Sequence, residues 1–255
     1  MPQRAARAGS RVLAGVMGLL LSAAAGSVAS AEDIKFPEYP SLSPDGSLVV
    51  FSWAGDLWAA PIAGGAAQRV TSHPGNESRS AFNATGTLLA FESTRDGSQD
   101  IYTTSVEITG SGAGRGLLAG EASRLTVLPG SPVLGGFSAD GQAVLFHSSF
   151  EPSMYRGTRM YRAPLDGGPI TRLTDAYGGV VSQNLTGTHT LFHRGSSAAN
   201  NRPQYRGSGA YDIWRMNQDG SFTQLTNFGG NDYEGYKLPD GSVVFISSRD
   251  GQNNL

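Results

Sequence analysis

The stretch SPDGSLVVFSWAGDLW, residues 43–58, decides the fold. It opens on a tight turn. Gly46 accepts the positive φ that closes it, Asp45 can bond the local backbone, and Pro44 presets the preceding φ. A short apolar run, LVVF, ends at Phe51, and a third segment, DLW, places an aromatic at Trp58. The run is nearly continuous in apolar character, which suits a strand covered on both faces.

The unit recurs along the chain. The turn returns as NATG at 83–86, SADG at 138–141, NLTG at 184–187 and LPDG at 238–241. Each turn is followed by an apolar run with its own Phe: LLAF at Phe91, AVLF at Phe146, HTLF at Phe192 and SVVF at Phe245. The third segment returns as DIY at Tyr102, RMY at Tyr161 and DIW at Trp214. A fourth closes each unit: QRVT to Thr71, SRLT to Thr126, TRLT to Thr174 and TQLT to Thr226. Glycine is abundant, 35 of 255 residues, as expected of a turn-rich chain. Four strands repeated about every 50 residues predict an all-β fold, a β-propeller of four-stranded blades. Each blade is too thin to bury both faces alone, so its neighbours supply the core. The expected blades are 36–74, 75–128, 129–176 and 177–229, four complete ones, with the start of a fifth at 230–255. An irregular β-sandwich is the alternative, and the five matching turns argue against it.

The last unit tracks the second: SSRDGQNNL at 247–255 beside STRDGSQDIY at 93–102. Tyr102 lies 11 residues after Phe91, and the matching aromatic after Phe245 would be residue 256. The chain is therefore read as a truncated copy of a longer protein, with an unfinished ring that leaves one strand edge open and prone to aggregation.

Residues 1–31 read as a removable leader. Arg4, Arg7 and Arg11 form a basic start, Val12 to Ala25 is apolar, and Ala29-Ser30-Ala31 is a small-x-small cleavage pattern. The apolar run is shorter than the roughly 20 residues of a spanning helix, so a signal peptide is favoured over an anchor. The expected mature chain, 32–255, is exported, periplasmic or secreted. Without the three leader arginines, 16 basic residues face 21 acidic ones, a balance that does not favour nucleic acid. There are no cysteines, so the fold relies on core burial rather than disulfides.

The repeat breaks its own spacing in one place. From the Phe to the third-segment aromatic the distance is 7, 11, 15 and 22 residues in units one to four. In a propeller this connection emerges on the face that also carries the links between blades. The two longest loops contain Tyr155-Arg156-Gly157 and Tyr205-Arg206-Gly207, with Arg159, Arg194 and Arg202 close by in sequence. Tyr155, Arg156, Arg159, Arg194, Arg202, Tyr205 and Arg206 are therefore candidate peptide- or partner-binding residues. Arginine grips carboxylates in bidentate fashion and tyrosine adds flat amphipathic area. The competing reading is structural: the arginines tie long loops down. Docking against a sister domain or subunit lies between the two.

Other signals are set aside. His189 and His193 share a strand face, but His147 and His193 fill a slot that holds Ser52, Glu92 and Ile246 elsewhere, which reads as a packing or solvent position rather than a metal pair. The Gly-rich TGSGAGRGLLAG, 109–120, reads as a long third-to-fourth-strand loop without a phosphate-binding ending. There is no G-x-S-x-G and no H-E-x-x-H, so no catalytic residue, metal or cofactor is expected. Asn76, Asn83 and Asn184 begin N-x-S/T sequons, which matter only in a glycosylating host.

The units resemble the WD-like propeller repeats of TolB and of tricorn-type proteases, with SPDG, then VVFSW, then DIW, then QLT. Two details look more like tricorn. The propeller pattern begins straight after the leader with FPEYPSLSPDG, and the insert RPQYRGSGAYDIWRMNQDG is similar to a fourth-blade insert of that family. The resemblance covers 36–255 and implies a six-bladed propeller, a seven-bladed one, a PDZ-like module and a C-terminal serine-peptidase core. In that family the propellers act as filters for peptides, and the catalytic Ser, His and Glu lie in the C-terminal part, so none carries over. The expected role is scaffolding and gating for proteolysis, with peptides or sister domains as partners and a possible homo-oligomer of the full-length protein. A TolB-like periplasmic binding propeller is the alternative. A dipeptidyl-peptidase-like propeller, whose catalytic half would carry G-x-S-x-G, is a weaker one.

Overall fold

The computed structural model describes residues 34–152, 157–183, 187–195, 202, 205–238 and 242–255. The segment expected to be a leader, Tyr155, Arg156 and residues 184–186 and 239–241 lie outside the described residues. Blade 1 comprises β1 (Glu38–Leu42), β2 (Leu48–Trp53), β3 (Asp56–Pro61) and β4 (Gln68–Arg69). Blade 2 comprises β5 (Glu77–Phe82), β6 (Leu88–Ser93), β7 (Asp100–Thr109) and β8 (Gly116–Arg124). Blade 3 comprises β9 (Val133–Phe137), β10 (Ala143–Ser148), β11 (Arg159–Pro164) and β12 (Thr171–Tyr177). Blade 4 comprises β13 (Gly179–Gln183), β14 (His189–Arg194), β15 (Asp212–Asn217) and β16 (Phe222–Gln224). A fifth sheet pairs β17 (Asp232–Lys237) with β18 (Val243–Ser247). Each sheet is an antiparallel meander in chain order, and the first strands follow one another around the ring, β1 against β5, β5 against β9, β9 against β13 and β13 against β17.

The repeated aromatics are direct cross-strand partners whatever the loop between them. Phe51 faces Trp58, Phe91 faces Tyr102, Phe146 faces Tyr161 and Phe192 faces Trp214. The Phe91–Tyr102 and Phe146–Tyr161 rings stack at 6.0 and 5.3 Å. Alternation along each second strand sends neighbouring residues to opposite faces. Leu89 and Phe91 pack with Leu48, Val50 and Leu57 of blade 1, whereas Ala90 joins Val144, Phe146 and Tyr161 of blade 3. Leu145, between those blade-3 residues, turns the other way to Val181 and Phe192 of blade 4. Each core thus lies between two blades, and each buried Phe contributes about 1.5–3 kcal/mol of apolar transfer.

A second recurring device closes the outer strands. The N–H after the third strand's first position donates to a threonine hydroxyl: Leu57 to Thr71, Ile101 to Thr126 and Ile213 to Thr226, each at 2.9 Å. The acid at that first position meets the residue two before the threonine. Asp56 pairs with Arg69 at 2.7 Å, Asp100 with Arg124, and Asp212 accepts from Gln224 at 3.0 Å. The segment 109–120 departs from the loop expected of it. β7 runs through Thr109 and β8 starts at Gly116, so this is a long hairpin, braced on blade 1 by Arg115 against Asp45 at 2.6 Å.

Candidate functional site

Of the sequence-predicted arginines, Arg159, Arg194, Arg202 and Arg206 lie among the described residues, and each has its own contacts. Arg159 occupies the blade-3 position where other blades carry Asp56, Asp100 and Asp212, and the loop supplies the missing acid instead. Glu151 accepts from Arg159 at 3.3 Å and from Arg172 at 2.6 Å, and Arg159 also reaches the Tyr177 hydroxyl at 3.0 Å. Arg159 therefore anchors its own loop. Arg202 and Arg206 meet the segment that leads into the fifth sheet, and the Tyr205 hydroxyl accepts from the Gly209 N–H at 3.4 Å. The Arg202 carbonyl accepts from Asn231 Nδ2 at 3.2 Å and from the Tyr205 N–H at 2.8 Å. The Arg206 guanidinium lies 4.4 Å from the Phe228 ring, which Arg249 also covers at 5.3 Å. Arg194, at the end of β14, borders a cavity of about 430 Å³ with Gly157, Tyr177, Ser208, Asp212 and Trp214.

In the four complete blades the slot after the second-strand Phe, Ser52, Glu92, His147 and His193, is neither solvent nor simple packing. It is a hydrogen-bond acceptor for the next blade. Every first strand carries a bulge or irregularity in its pairing. In β1, β5, β13 and β17 a non-glycine sits there at positive φ: Tyr39, Arg79, Val180 and Glu234, at 50°, 42°, 46° and 53°. Such a backbone costs about 1–2 kcal/mol, and the turned-out N–H needs an acceptor. Arg79 N–H donates to Ser52 Oγ at 3.0 Å, Val180 N–H to His147 Nδ1 at 3.0 Å, and Glu234 N–H to His193 Nδ1 at 3.5 Å. In blade 3 the equivalent donor is Leu134 N–H, 2.7 Å from Glu92 Oε1.

These groups share one space. Burial, then the charges of His193 and Arg79, lowers the His147 pKa to about 3, and burial with Arg79 lowers His193 to about 4. Burial raises the Glu92 carboxyl to about 7 despite the Leu134 N–H and the Arg79 guanidinium 3.5 Å away. Arg79 also lies 4.2 Å over the Tyr39 ring. The first strands were the part sequence reasoning missed, since their only common signal is an acceptor in the preceding blade's slot.

Residues 35–255 match the family described as the tricorn protease N-terminal beta propeller domain. The chain belongs to that family. It is 32% identical over 228 residues to tricorn protease homolog 1 of Streptomyces coelicolor, a match that covers 87% of this chain and 19% of the relative. This tricorn-family chain thus spans about a fifth of that relative's length. In fold it is similar to the crystal structure of the tricorn protease, with a TM-score of 0.66 at 19% identity, covering 87% of this chain and 21% of that one. It is likewise similar to putative TolB from Agrobacterium tumefaciens, with a TM-score of 0.63 at 24% identity over 84% of this chain and 70% of that one.

Proposed function

We propose that this chain is the non-catalytic propeller of an exported tricorn-like serine protease, where it scaffolds the assembly and gates peptides on their way to a peptidase core outside residues 1–255. The family match over 35–255 carries this reading, together with a tricorn protease homolog of which the chain covers 19%. A gating role is supported by the polar groups brought together from blades 2 to 4, with Arg79 3.5 Å from Glu92 and both His147 and His193 against Gly179. Longer loops on one face of blades 3 and 4 suit docking to sister domains or subunits.

The test is to extend the reading frame beyond Leu255, express the full product and assay it with fluorogenic peptides beside the 255-residue chain. Peptidase activity is expected only in the full product. A stop codon after one further blade, or an inactive full product, would remove the protease reading. The similarity in fold to TolB favours a second reading, a binding propeller of the envelope. A discrete partner pulled from envelope extract, and lost when Arg156 and Arg206 become alanine, would support it.

A further inference from the structure

Arg194 departs from the rule its own repeat sets. Two residues beyond the second-strand Phe, blades 2 and 3 and the fifth sheet carry Ser93, Ser148 and Ser247, all buried. Their hydroxyls accept the backbone N–H of Arg95, Phe150 and Arg249 at 3.2, 3.3 and 3.3 Å. Blade 4 places an exposed arginine there.

The first strand does not neutralise it. Glu77 stands opposite Ser93 and Asp232 opposite Ser247, both buried, and these carboxylates pair with Arg95 and Arg249. In blade 4 Gly179 faces His193, which puts Gly178 opposite Arg194. The Phe192 ring fills the space that a side chain at Gly178 would need. Asp212, directly across on β15, is turned to Gln224 instead. Burial and the neighbouring Asp232 raise the Asp212 pKa. Among the described residues Arg194 makes no ion pair and no hydrogen bond, and its guanidinium rests 5.8 Å over the Trp214 ring.

We propose that the cavity between blades 3 and 4 is a carboxylate-binding subsite, with Arg194 as the anion contact and Trp214 and Tyr177 as aromatic walls. A guanidinium fork matches a planar carboxylate in two parallel hydrogen bonds, and the aromatic face beneath it holds the fork in place. A volume of about 430 Å³ accommodates a side chain or chain end with its flanking peptide units. The carboxylate belongs either to an acidic side chain or to a peptide C-terminus. The subsite rests on blade geometry alone and is independent of the protease reading.

Isothermal titration calorimetry of the 255-residue chain at low salt tests it. The probes are Ac-Ala-Ala-Glu-Ala-NH2, Ac-Ala-Ala-Ala-Ala-OH, the neutral Ac-Ala-Ala-Gln-Ala-NH2 and inorganic phosphate. At least one carboxylate peptide is expected to bind, and the tighter of the two identifies side chain or terminus as the source. Arg194→Gln should weaken that binding roughly tenfold or more while leaving the melting curve in place, and Arg194→Lys should restore only part of it. The inference is overturned if the neutral peptide binds as tightly, if Arg194→Gln binds unchanged, if neither carboxylate peptide binds at about 10 mM, or if phosphate binds more tightly than both.

Discussion

Acid should loosen the seams that two histidines hold, and His147 allows the effect to be isolated. Its Nδ1 accepts the Val180 N–H and must stay unprotonated to do so. A proton there would also face Arg79 and His193, with Glu92 and Glu234 on the neighbouring elements. The folded value is depressed to about 3 from the usual 6.5, so the unfolded chain takes up a proton that the native state refuses. The contribution is therefore complete above pH 6.5 and is lost as pH falls towards 3. At about 1.4 kcal/mol per pH unit, the loss from this residue reaches about 2 kcal/mol at pH 5. Glu92 acts in the opposite direction. Its folded value is raised to about 7 from 4.5, so its contribution is complete below pH 4.5 and is lost as pH rises towards 7. Wild type and His147→Gln share that behaviour, and their difference removes it. The glutamine oxygen can take the Val180 N–H without a titrating ring. Urea unfolding at pH 5, 6, 7 and 8, followed by tryptophan fluorescence, should show the variant gaining about 2 kcal/mol on wild type between pH 7 and pH 5. Parallel stability profiles would refute the reasoning.

Two further perturbations probe the packing and the loop anchor. Phe91 is fully buried between blades 1 and 2, so Phe91→Ala should cost about 3–5 kcal/mol in chemical denaturation, against less than about 0.5 kcal/mol for an exposed substitution such as Glu121→Ala. Glu151→Gln should cost about 1 kcal/mol at low salt, less in high salt, and should leave Arg159 and Arg172 as excess positive charge, read as a shift in urea midpoint against ionic strength.

The second and third strands are legible in the chain because three physical signals coincide: a positive-φ glycine turn, a two-faced apolar run and a cross-strand aromatic. Phe146 and Tyr161 still find each other across the 15-residue offset because register, not loop length, sets the pairing. The first strands are illegible for the opposite reason. Their bulges use Tyr39, Arg79, Val180 and Glu234, which share no side-chain chemistry, and the groups that meet the backbone of β5, β9, β13 and β17, Ser52, Glu92, His147 and His193, share only the ability to accept a hydrogen bond. The loop arginines were legible as composition, whereas their individual partners were not. Glu151, inside the same loop, takes up Arg159, whereas the glycine opposite Arg194 leaves that guanidinium without a counter-ion from its first strand. Tyr155 and Arg156 lie outside the described residues.

Blade order around the ring can be measured directly, because the chain has no cysteine to interfere. The hydroxyls of Ser41 on β1 and Ser80 on β5 are 2.8 Å apart. In Ser41→Cys/Ser80→Cys the two sulfurs need only a small approach to bond. Mild oxidation of the folded protein should consume both thiols, while Ser41→Cys/Ser148→Cys should keep its own. Persistent free thiols in the first pair, or equal cross-linking in the second, would contradict an arrangement in which the inner strands of successive blades lie side by side.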